Sequence, residues 1–247
     1  MERSRQKKSA KCPRLVFAVL TCLPAAAADN RGSSPQTTGW RNNFTTRLEA
    51  LALLQSFNAN LLSDYSATLT LDRWCETHRL ATPATVVADR VPDVDKAPTA
   101  EQRYVLRVSE SERVRYRRVH LRCGVHVLSE AENWYVPSRL TPEINKALES
   151  TNIPFGRAVQ ALNFRRQTLS AQLLWSPLPE GWEMGVASGP ATTSSTTLRI
   201  PPEVLQHRAV LTLPDGTPFS TVIETYTDDL LAFPEPPTPK IDMPNCR

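Results

Sequence analysis

Residues that could bind an anion are concentrated in one stretch of the sequence, residues 113–137. From Arg118 to Cys123 this stretch alternates as a β-strand does, with cations on one face (Arg118, His120 and Arg122) and apolar residues on the other (Val119, Leu121 and Cys123). Before Val119 the apolar face becomes polar, and we expect that outer half of the strand to emerge into solvent (Arg113, Arg115 and Arg117). Gly124 suits a turn with positive φ, and a second strand runs from about Val125 to Val136 until Pro137 ends it. The pattern predicts a β-hairpin with a cationic row beside an apolar row.

Sequence patterns of nucleotide, zinc-protease and serine-hydrolase sites are absent. The chain has no GxGxxG, GxxxxGK[ST], HExxH or GxSxG segment. Its histidines are scattered, and two that flank one turn do not make a metal site, so we interpret all four as structural or surface residues (His78, His120, His126 and His207). We therefore predict neither a metal ion nor a cofactor.

Length and composition describe a globular protein. The 247 residues suffice for a real core, and 40% hydrophobic with 22% charged residues is an ordinary soluble composition. The net charge of +4 comes from residues 1–28, which hold six basic residues and one acidic residue. The remaining 23 basic and 24 acidic residues leave a net charge of −1. Bulk charge therefore gives no support to nucleic-acid binding.

Residues 1–28 have the organisation of a signal peptide. A basic start precedes an apolar run, Leu15–Leu23, and Ala25–Ala28 match the small-residue pattern that precedes cleavage. The apolar run is too short to span a bilayer and no later segment is a candidate, so we predict no membrane association after cleavage. We predict a mature protein that begins near Asp29 and is periplasmic or secreted. The alternative is a mis-assigned start codon ahead of a cytoplasmic protein.

Three cysteines remain after the predicted leader, namely Cys75, Cys123 and Cys246. Their odd number and the absence of a CxxC pair indicate neither a disulfide framework nor a zinc site. One bridge is open to them in an oxidising compartment. Small buried apolar side chains are the simpler explanation of Cys75 and Cys123.

The order of the elements predicts an α+β fold in a single domain, residues 46–233, with an antiparallel sheet and with N-terminal and inserted helices. Spacing and capping residues predict helices over Thr46–Leu62, after Ser66 or Thr68, and from Thr141-Pro142 onward. Alternating segments predict further strands (Ala84–Val91, about Thr168–Trp175, Arg208–Leu213 and Phe219–Thr227), and Asp215-Gly216 predicts the turn between the last two.

Irregular segments are predicted around and within this domain. Residues 29–45 are polar and predict a flexible N-terminus. Residues 92–101 predict a loop that leads through 104–108 into the hairpin. Residues 234–247 predict a Pro-rich disordered tail.

Three segments of the sequence resemble the chorismate lyase family, whose members form 4-hydroxybenzoate. The first is the arginine strand with its cysteine-containing turn and the strand that ends in Trp134-Tyr135-Val136-Pro137. The second, Ile153-Pro154-Phe155-Gly156-Arg157, resembles the family's Pro-Leu-Gly-Arg turn. The third, from Arg208 to Glu224, resembles the family's arginine-bearing strand, turn and glutamate-bearing strand. The likeness covers about residues 46–233, in what would be an exported variant.

The resemblance implies a cofactor-free elimination, in which pyruvate leaves chorismate and the ring becomes aromatic. It implies that Glu224 is catalytic and meets the ring hydroxyl as a hydrogen-bond acceptor or proton carrier. It implies that Arg118 holds a substrate carboxylate through a bidentate pair, and that Phe155 and Arg208 contribute to substrate binding.

A joint pocket for Arg118 and Glu224 places a condition on the last strand. This chain has one residue more than the family pattern after Pro218, and strand side chains alternate. Both residues face one pocket only if the extra residue is absorbed as a bulge between Phe219 and Ile223.

Other interpretations stay open. An exported domain of the same fold can bind a small aromatic or carboxylate ligand without catalysis, and the Pro-rich tail could serve a scaffold protein. Arg118 could be a solvated strand arginine, Glu224 a salt-bridge partner of Arg208, and Phe155 a core residue. We predict a monomer whose partner is a small carboxylate or aromatic ligand.

Overall fold

Two antiparallel sheets carry the strands of this protein, whose computed structural model describes residues 37–92, 94–185 and 196–237. The strands, in chain order, are β1 (Thr37–Arg41), β2 (Val86–Arg90), β3 (Arg115–Cys123), β4 (His126–Tyr135), β5 (Arg165–Leu173), β6 (Thr197–Arg199), β7 (Glu203–Thr212) and β8 (Pro218–Thr227). Six of them form the main sheet in the order β2-β3-β4-β8-β7-β5, and β1 pairs with β6.

The helices lie between these strands. The α-helices are α1 (Phe44–Ser63), α2 (Ala67–Thr77), α3 (Ala100–Leu106), α4 (Pro142–Ser150) and α5 (Phe155–Ala158). Short 3-10 helices cover Pro137–Arg139, Gln160–Leu162, Trp182–Met184 and Asp228–Leu231. Together with the antiparallel main sheet, these helices confirm the predicted α+β fold.

Both predicted hairpins are present and lie side by side in the main sheet. β3 pairs with β4, with Val119 opposite Ala131, and Gly124 makes the turn with a φ of 58°. A Cβ on Gly124 would lie 2.6 Å from the Cβ of Ala81, so the turn needs glycine for space as well as for its φ. β8 pairs with β7 on one side and β4 on the other, which places Glu224 opposite Ala131.

The helix predictions hold for α1, α2 and α4 but miss α3. α1 buries the predicted stripe (Ala50, Leu54, Phe57 and Leu61), and the side chain of Thr141 caps α4 by accepting a bond from the backbone of Ile144. The predicted loop and lead into the hairpin are wrong over residues 100–106, where α3 lies. At its start, the side chains of Thr99 and Gln102 each bond the other's backbone N–H, and this capping box is the sequence signal for the helix.

The two faces of the main sheet are covered differently. α1 and α2 pack on the face that carries Val119 and Tyr226, where the larger hydrophobic core forms, and we call it the helix-covered face. Arg118 and Arg208 lie on the other side, which we call the opposite face. α3 packs there beside β8, and its Glu101 contacts Arg208.

The arginines around the start of β3 differ in exposure: Arg113 is exposed as predicted and Arg115 is partly buried, but the prediction that this end emerges into solvent is wrong for Arg117. This side chain is buried, with Nε donating to the carbonyl oxygen of Leu148 at 3.1 Å and Nη2 to that of Ile153 at 2.9 Å. Arg115 pairs with Glu149 of α4. The α4 segment therefore covers this end of the helix-covered face, which the alternation within β3 alone could not indicate.

Cys75 and Cys123 form a disulfide, and the preference for two unlinked buried thiols is wrong. Their Cα atoms are 6.5 Å apart, and both side chains are fully buried. The bridge joins α2 to the last residue of β3. Spacing could not establish this pair, because 48 positions separate the two cysteines.

The predicted flexible N-terminus is wrong from residue 37 onward, because β1 and α1 begin inside it. Trp40 is fully buried, and its Nε1 donates to the carbonyl oxygen of Phe233 at 2.7 Å. Nη2 of Arg41 pairs with Oε1 of Glu235 at 2.6 Å, so the start of the Pro-rich tail is also anchored. The predicted signal peptide, residues 1–28, and tail residues 238–247 lie outside the described residues. Within the described ranges, no helix is long and apolar enough to cross a membrane.

Candidate functional site

A small cavity, with a volume of about 30 Å³, lies on the helix-covered face of the main sheet, and we call it the Arg166 cavity. It is bounded by five strands of the sheet and by the α1–α2 junction and α5. Its lining includes apolar residues (Val119, Leu121, Phe155, Phe164 and Leu211) and polar ones (Ser66, Thr68, Asn133, Arg166 and Glu224). Tyr65 is the most exposed lining residue, at 46%.

Close packing of α5 on α2 builds one wall of the Arg166 cavity. Nη2 of Arg157 on α5 pairs with Oδ2 of Asp72 on α2 at 2.6 Å. A Cβ on Gly156 would lie 3.0 Å from both Oγ of Ser66 and Oγ1 of Thr68, so glycine permits this approach. Two hydroxyl groups are thereby held in the wall.

A buried ion pair forms the polar part of the cavity. The side chains of Arg166 and Glu224 are 3% and 8% exposed, and Nη1 of Arg166 lies 2.9 Å from Oε2 of Glu224. The hydroxyl of Tyr226 donates to the same oxygen at 3.1 Å. Burial, with the negative charge of Glu224, raises the pKa of Tyr226 well above its usual value. Burial alone lowers the pKa of Arg166, but Glu224 and Tyr226 raise it, leaving a pKa above the usual arginine value.

The other edge of the Arg166 guanidinium is unsatisfied. Among the described residues, neither Nε nor Nη2 has a hydrogen-bond partner, and the same holds for Oδ1 of Asn133 in the same lining. A buried polar group without a partner costs about 1–3 kcal/mol. The N–H groups on Nε and Nη2 point along one edge of a planar group, in the geometry that matches the two oxygens of a carboxylate. The fork of two donors and the separate acceptor therefore belong to residues that line the cavity, and a ligand reaches these buried atoms by displacing the side chains around them.

Two of the predicted site residues, Glu224 and Phe155, line the Arg166 cavity. Glu224 faces inward because β8 contains a bulge, which is the condition that the sequence placed on this strand. Ser220 pairs with Leu211 and Pro218 with Thr212, so Phe219 is the unmatched residue and the side-chain alternation reverses there. The bulge was predicted between Phe219 and Ile223, and it lies at the first of these positions.

The prediction that Arg118 and Glu224 face one pocket is wrong. Arg118 pairs in register with Glu132 of β4, on the opposite face, and its Nη2 bonds Oε2 of Glu130 at 2.8 Å. It is adjacent in the strand to Val119, which lines the cavity, and adjacent strand residues point to opposite faces. Arg208 also lies on the opposite face, with Nη2 3.0 Å from Oε2 of Glu101. The structure brings neither arginine to the Arg166 cavity, and their binding roles stay predictions.

Sequence reasoning missed Arg166, the cation that accompanies Glu224. The strand was expected to begin near Thr168, whereas β5 begins at Arg165. The register also shifts between Thr168 and Ser170. Counting alternate residues back from the end of β5 therefore assigns Arg166 to the opposite face, although it lies on the helix-covered face. The available signal was indirect. A buried glutamate is usually paired with a cation, and β5 begins with two arginines, Arg165 and Arg166.

His207 is a buried histidine beside the ion pair. It lies opposite Glu224 in the β7–β8 register, and its Nε2 is 2.8 Å from Oδ1 of Asn58 on α1. An amide oxygen only accepts, so Nε2 carries the proton and donates it. Burial, and then the charge of Arg166, lower the pKa of His207 to about 4, although Glu224 opposes them. The sequence left open whether this histidine is a structural or a surface residue, and its burial shows that it is structural.

Comparison with known proteins places the chain in a family. No protein-family model matches it. Protein y4mC of Sinorhizobium fredii (strain NBRC 101917 / NGR234), an uncharacterized protein, is 51% identical over 222 residues, which cover 90% of this chain and 92% of y4mC. The chain therefore belongs to the same family as y4mC.

Solved structures that align with the chain are more distant. PhnF from Mycobacterium smegmatis aligns with a TM-score of 0.44 and 13% identity, over 70% of this chain and 68% of that one. The ligand-binding domain of a putative GntR-family transcriptional regulator from Bordetella bronchiseptica aligns with a TM-score of 0.38 and 14% identity, over 58% and 83% of the two chains. At these TM-scores the overlap carries no argument about ligand or activity.

We predict that His207 lowers the stability of the protein as the pH falls from about 6.5 to about 4. In this range the unfolded chain protonates His207, while the native side chain stays neutral. The unfolded state therefore binds more protons, and the free energy of unfolding drops. Urea unfolding at several pH values between these limits should show a steeper loss for the wild type than for His207→Gln, whose side chain does not titrate. Equal slopes would contradict the prediction.

Proposed function

We propose that this protein binds a small carboxylate-bearing molecule in the Arg166 cavity. The observation that carries the proposal is the buried Arg166 guanidinium, whose Nε and Nη2 have no partner among the described residues. A carboxylate accepts both N–H groups at once and so restores the hydrogen bonds that burial removed.

The rest of the lining fits a carboxylate on a partly apolar body. The charges of Arg166 and Glu224 cancel, so a bound carboxylate adds one negative charge that needs further donors, and the hydroxyls of Ser66 and Thr68 can supply them. A hydroxyl on the ligand can donate to Oδ1 of Asn133, for which the described residues supply no donor. Apolar side chains complete the wall and suit an aliphatic or aromatic portion.

The size of the cavity constrains how such a ligand enters. At about 30 Å³ the Arg166 cavity holds only a small group without movement. Tyr65 is half-exposed and packs against Phe164, with ring centroids 5.9 Å apart. A ligand with a ring therefore requires that these two rings separate.

A chorismate-lyase-type elimination is the second candidate function. It is favoured by Glu224, which shares its cavity with an arginine as the resemblance requires, although the arginine is Arg166 rather than Arg118. The contacts to Arg166 and Tyr226 both use Oε2 of Glu224. Oε1 is then the oxygen that would meet the ring hydroxyl of chorismate.

We also propose that the protein is exported. The sequence of residues 1–28 supports this, with its basic start, short apolar run and alanine cluster. The disulfide between Cys75 and Cys123 adds support, because such bridges persist in oxidising compartments.

We predict that the wild type binds benzoate and not benzamide, a neutral molecule of the same shape. Arg166→Lys should weaken benzoate binding by about tenfold or more, because lysine keeps the charge that pairs with Glu224 but loses the planar fork. Calorimetric titration measures the affinity, and thermal unfolding checks that the variant is folded. The matched control is Arg165→Lys, which changes an exposed neighbour. Equal binding of benzamide, or equal losses in the two variants, would overturn the proposal.

For the second candidate, purified protein incubated with chorismate should release 4-hydroxybenzoate and pyruvate in equal amounts. Glu224→Gln should abolish the release, because the amide cannot carry the proton in the same way. Chromatography of the products measures it. Benzoate binding without any product would leave the binding function and exclude the lyase.

Export predicts that protein isolated from its native host begins near Asp29. Intact-mass spectrometry measures the mature start, and alkylation without reductant should leave Cys75 and Cys123 unmodified. A chain that retains Met1 together with alkylated Cys75 and Cys123 would exclude export.

A further inference from the structure

A second cavity, of about 310 Å³, lies at the outer end of β3, and we call it the Arg117 cavity. Its lining includes four arginines together with Tyr135 and Glu149 (Arg90, Arg113, Arg115 and Arg117). We propose that this cavity binds the phosphate group of a small molecule. The proposal is independent of the function proposed for the Arg166 cavity.

Arg117 is a buried cation whose contacts leave its charge uncompensated. The residue is only 6% exposed, and its Nε and Nη2 contact the carbonyl oxygens of Leu148 and Ile153. Nη1 is buried without a partner, and no carboxylate pairs with Arg117 among the described residues. Burial, and then Arg90, lower the pKa of Arg117 to about 10, so it still carries its charge at neutral pH. A buried charge without a counter-ion costs free energy, so an anion placed beside Arg117 would be stabilised.

Three further arginines line the cavity with Arg117 and add positive charge to it. Arg115 is already paired with Glu149, and Nη1 of Arg90 donates to the backbone carbonyl of Glu149. Arg113 is exposed at the rim of the cavity. All four arginines line the cavity together with Tyr135, and each lowers the pKa of Tyr135, although burial raises it more.

The net charge of the lining selects a dianion. Four arginines face two carboxylates, Asp95 and Glu149, which leaves a charge of +2. A phosphate monoester carries close to two negative charges at neutral pH, and its oxygens match guanidinium donors. A volume of about 310 Å³ exceeds that of a phosphate group and leaves room for an organic part.

The two cavities are neighbours but draw on different residues. Arg117 and Val119 project from the same face of β3, two residues apart, and serve one cavity each. Variants can therefore remove one site and spare the other.

Titration of the purified full chain with inorganic phosphate, at constant ionic strength set with chloride, tests the proposal. The wild type should show saturable binding, and Arg113→Gln and Arg117→Gln should each weaken it by about tenfold. Arg165→Gln, an exposed arginine of β5, and Arg166→Lys should leave it unchanged. If Arg117→Gln fails to fold, Arg113→Gln decides the outcome.

Three results would overturn the proposal. The first is the absence of saturable phosphate binding. The second is an equal loss in Arg165→Gln and Arg113→Gln, which would indicate general charge attraction. The third is a loss in Arg166→Lys alone, which would place the phosphate in the Arg166 cavity. Failure of benzoate to bind tests the Arg166 cavity only.

Discussion

The buried ion pair of Arg166 and Glu224 is the interaction on which the rest of the site depends. Removing two charges from water costs several kcal/mol for each ion, and their attraction offsets this cost only when further hydrogen bonds complete both groups. Tyr226 helps to complete Glu224, whereas two donors of Arg166 have no partner in the described part of the chain. An incomplete pair at a cavity wall contributes little to stability. It favours binding, because the donor fork is oriented before a ligand arrives.

Irregular strand pairing is what turns this pair toward one cavity. Pro218 and Glu224 are six positions apart, so a regular strand would place both on one face. In β8 the unmatched Phe219 reverses the alternation, and the two residues point to different faces. In β5 the shift between Thr168 and Ser170 does the same for Arg166 relative to the later residues of that strand. Two extra residues, one in each of two strands, therefore determine which charges become buried. This agrees with the general observation that bulges redirect side chains near functional sites.

Local sequence patterns predicted the elements that are specified locally. Gly124 and the Asp215-Gly216 turn identified both hairpins, and the stripe of α1 identified its buried face. Predictions that required knowledge of distant segments failed. The burial of Arg117 depends on α4, and the anchoring of Trp40 depends on Phe233 near the other end of the described chain.

The residues of the candidate site differ in the same way in how far the sequence predicted them. Glu224 was found because a resemblance identified it and a bulge was expected in its strand. Arg118 was misplaced because a cation adjacent to an apolar row lies, by the alternation itself, on the other face from that row. Arg166 was missed because a register shift interrupts its strand and its partner belongs to a different strand. Pairing across a sheet is a property of the whole fold, so a single strand does not encode it.

The contacts of Trp40 with Phe233 and of Arg41 with Glu235 hold the two ends of the described chain next to each other. The first and the last described segments therefore lie side by side on the folded body. Neither the Arg166 cavity nor the Arg117 cavity includes any of these four residues. Removal of either described end would therefore take away the partners of the other, while the residues that line both cavities would stay in place.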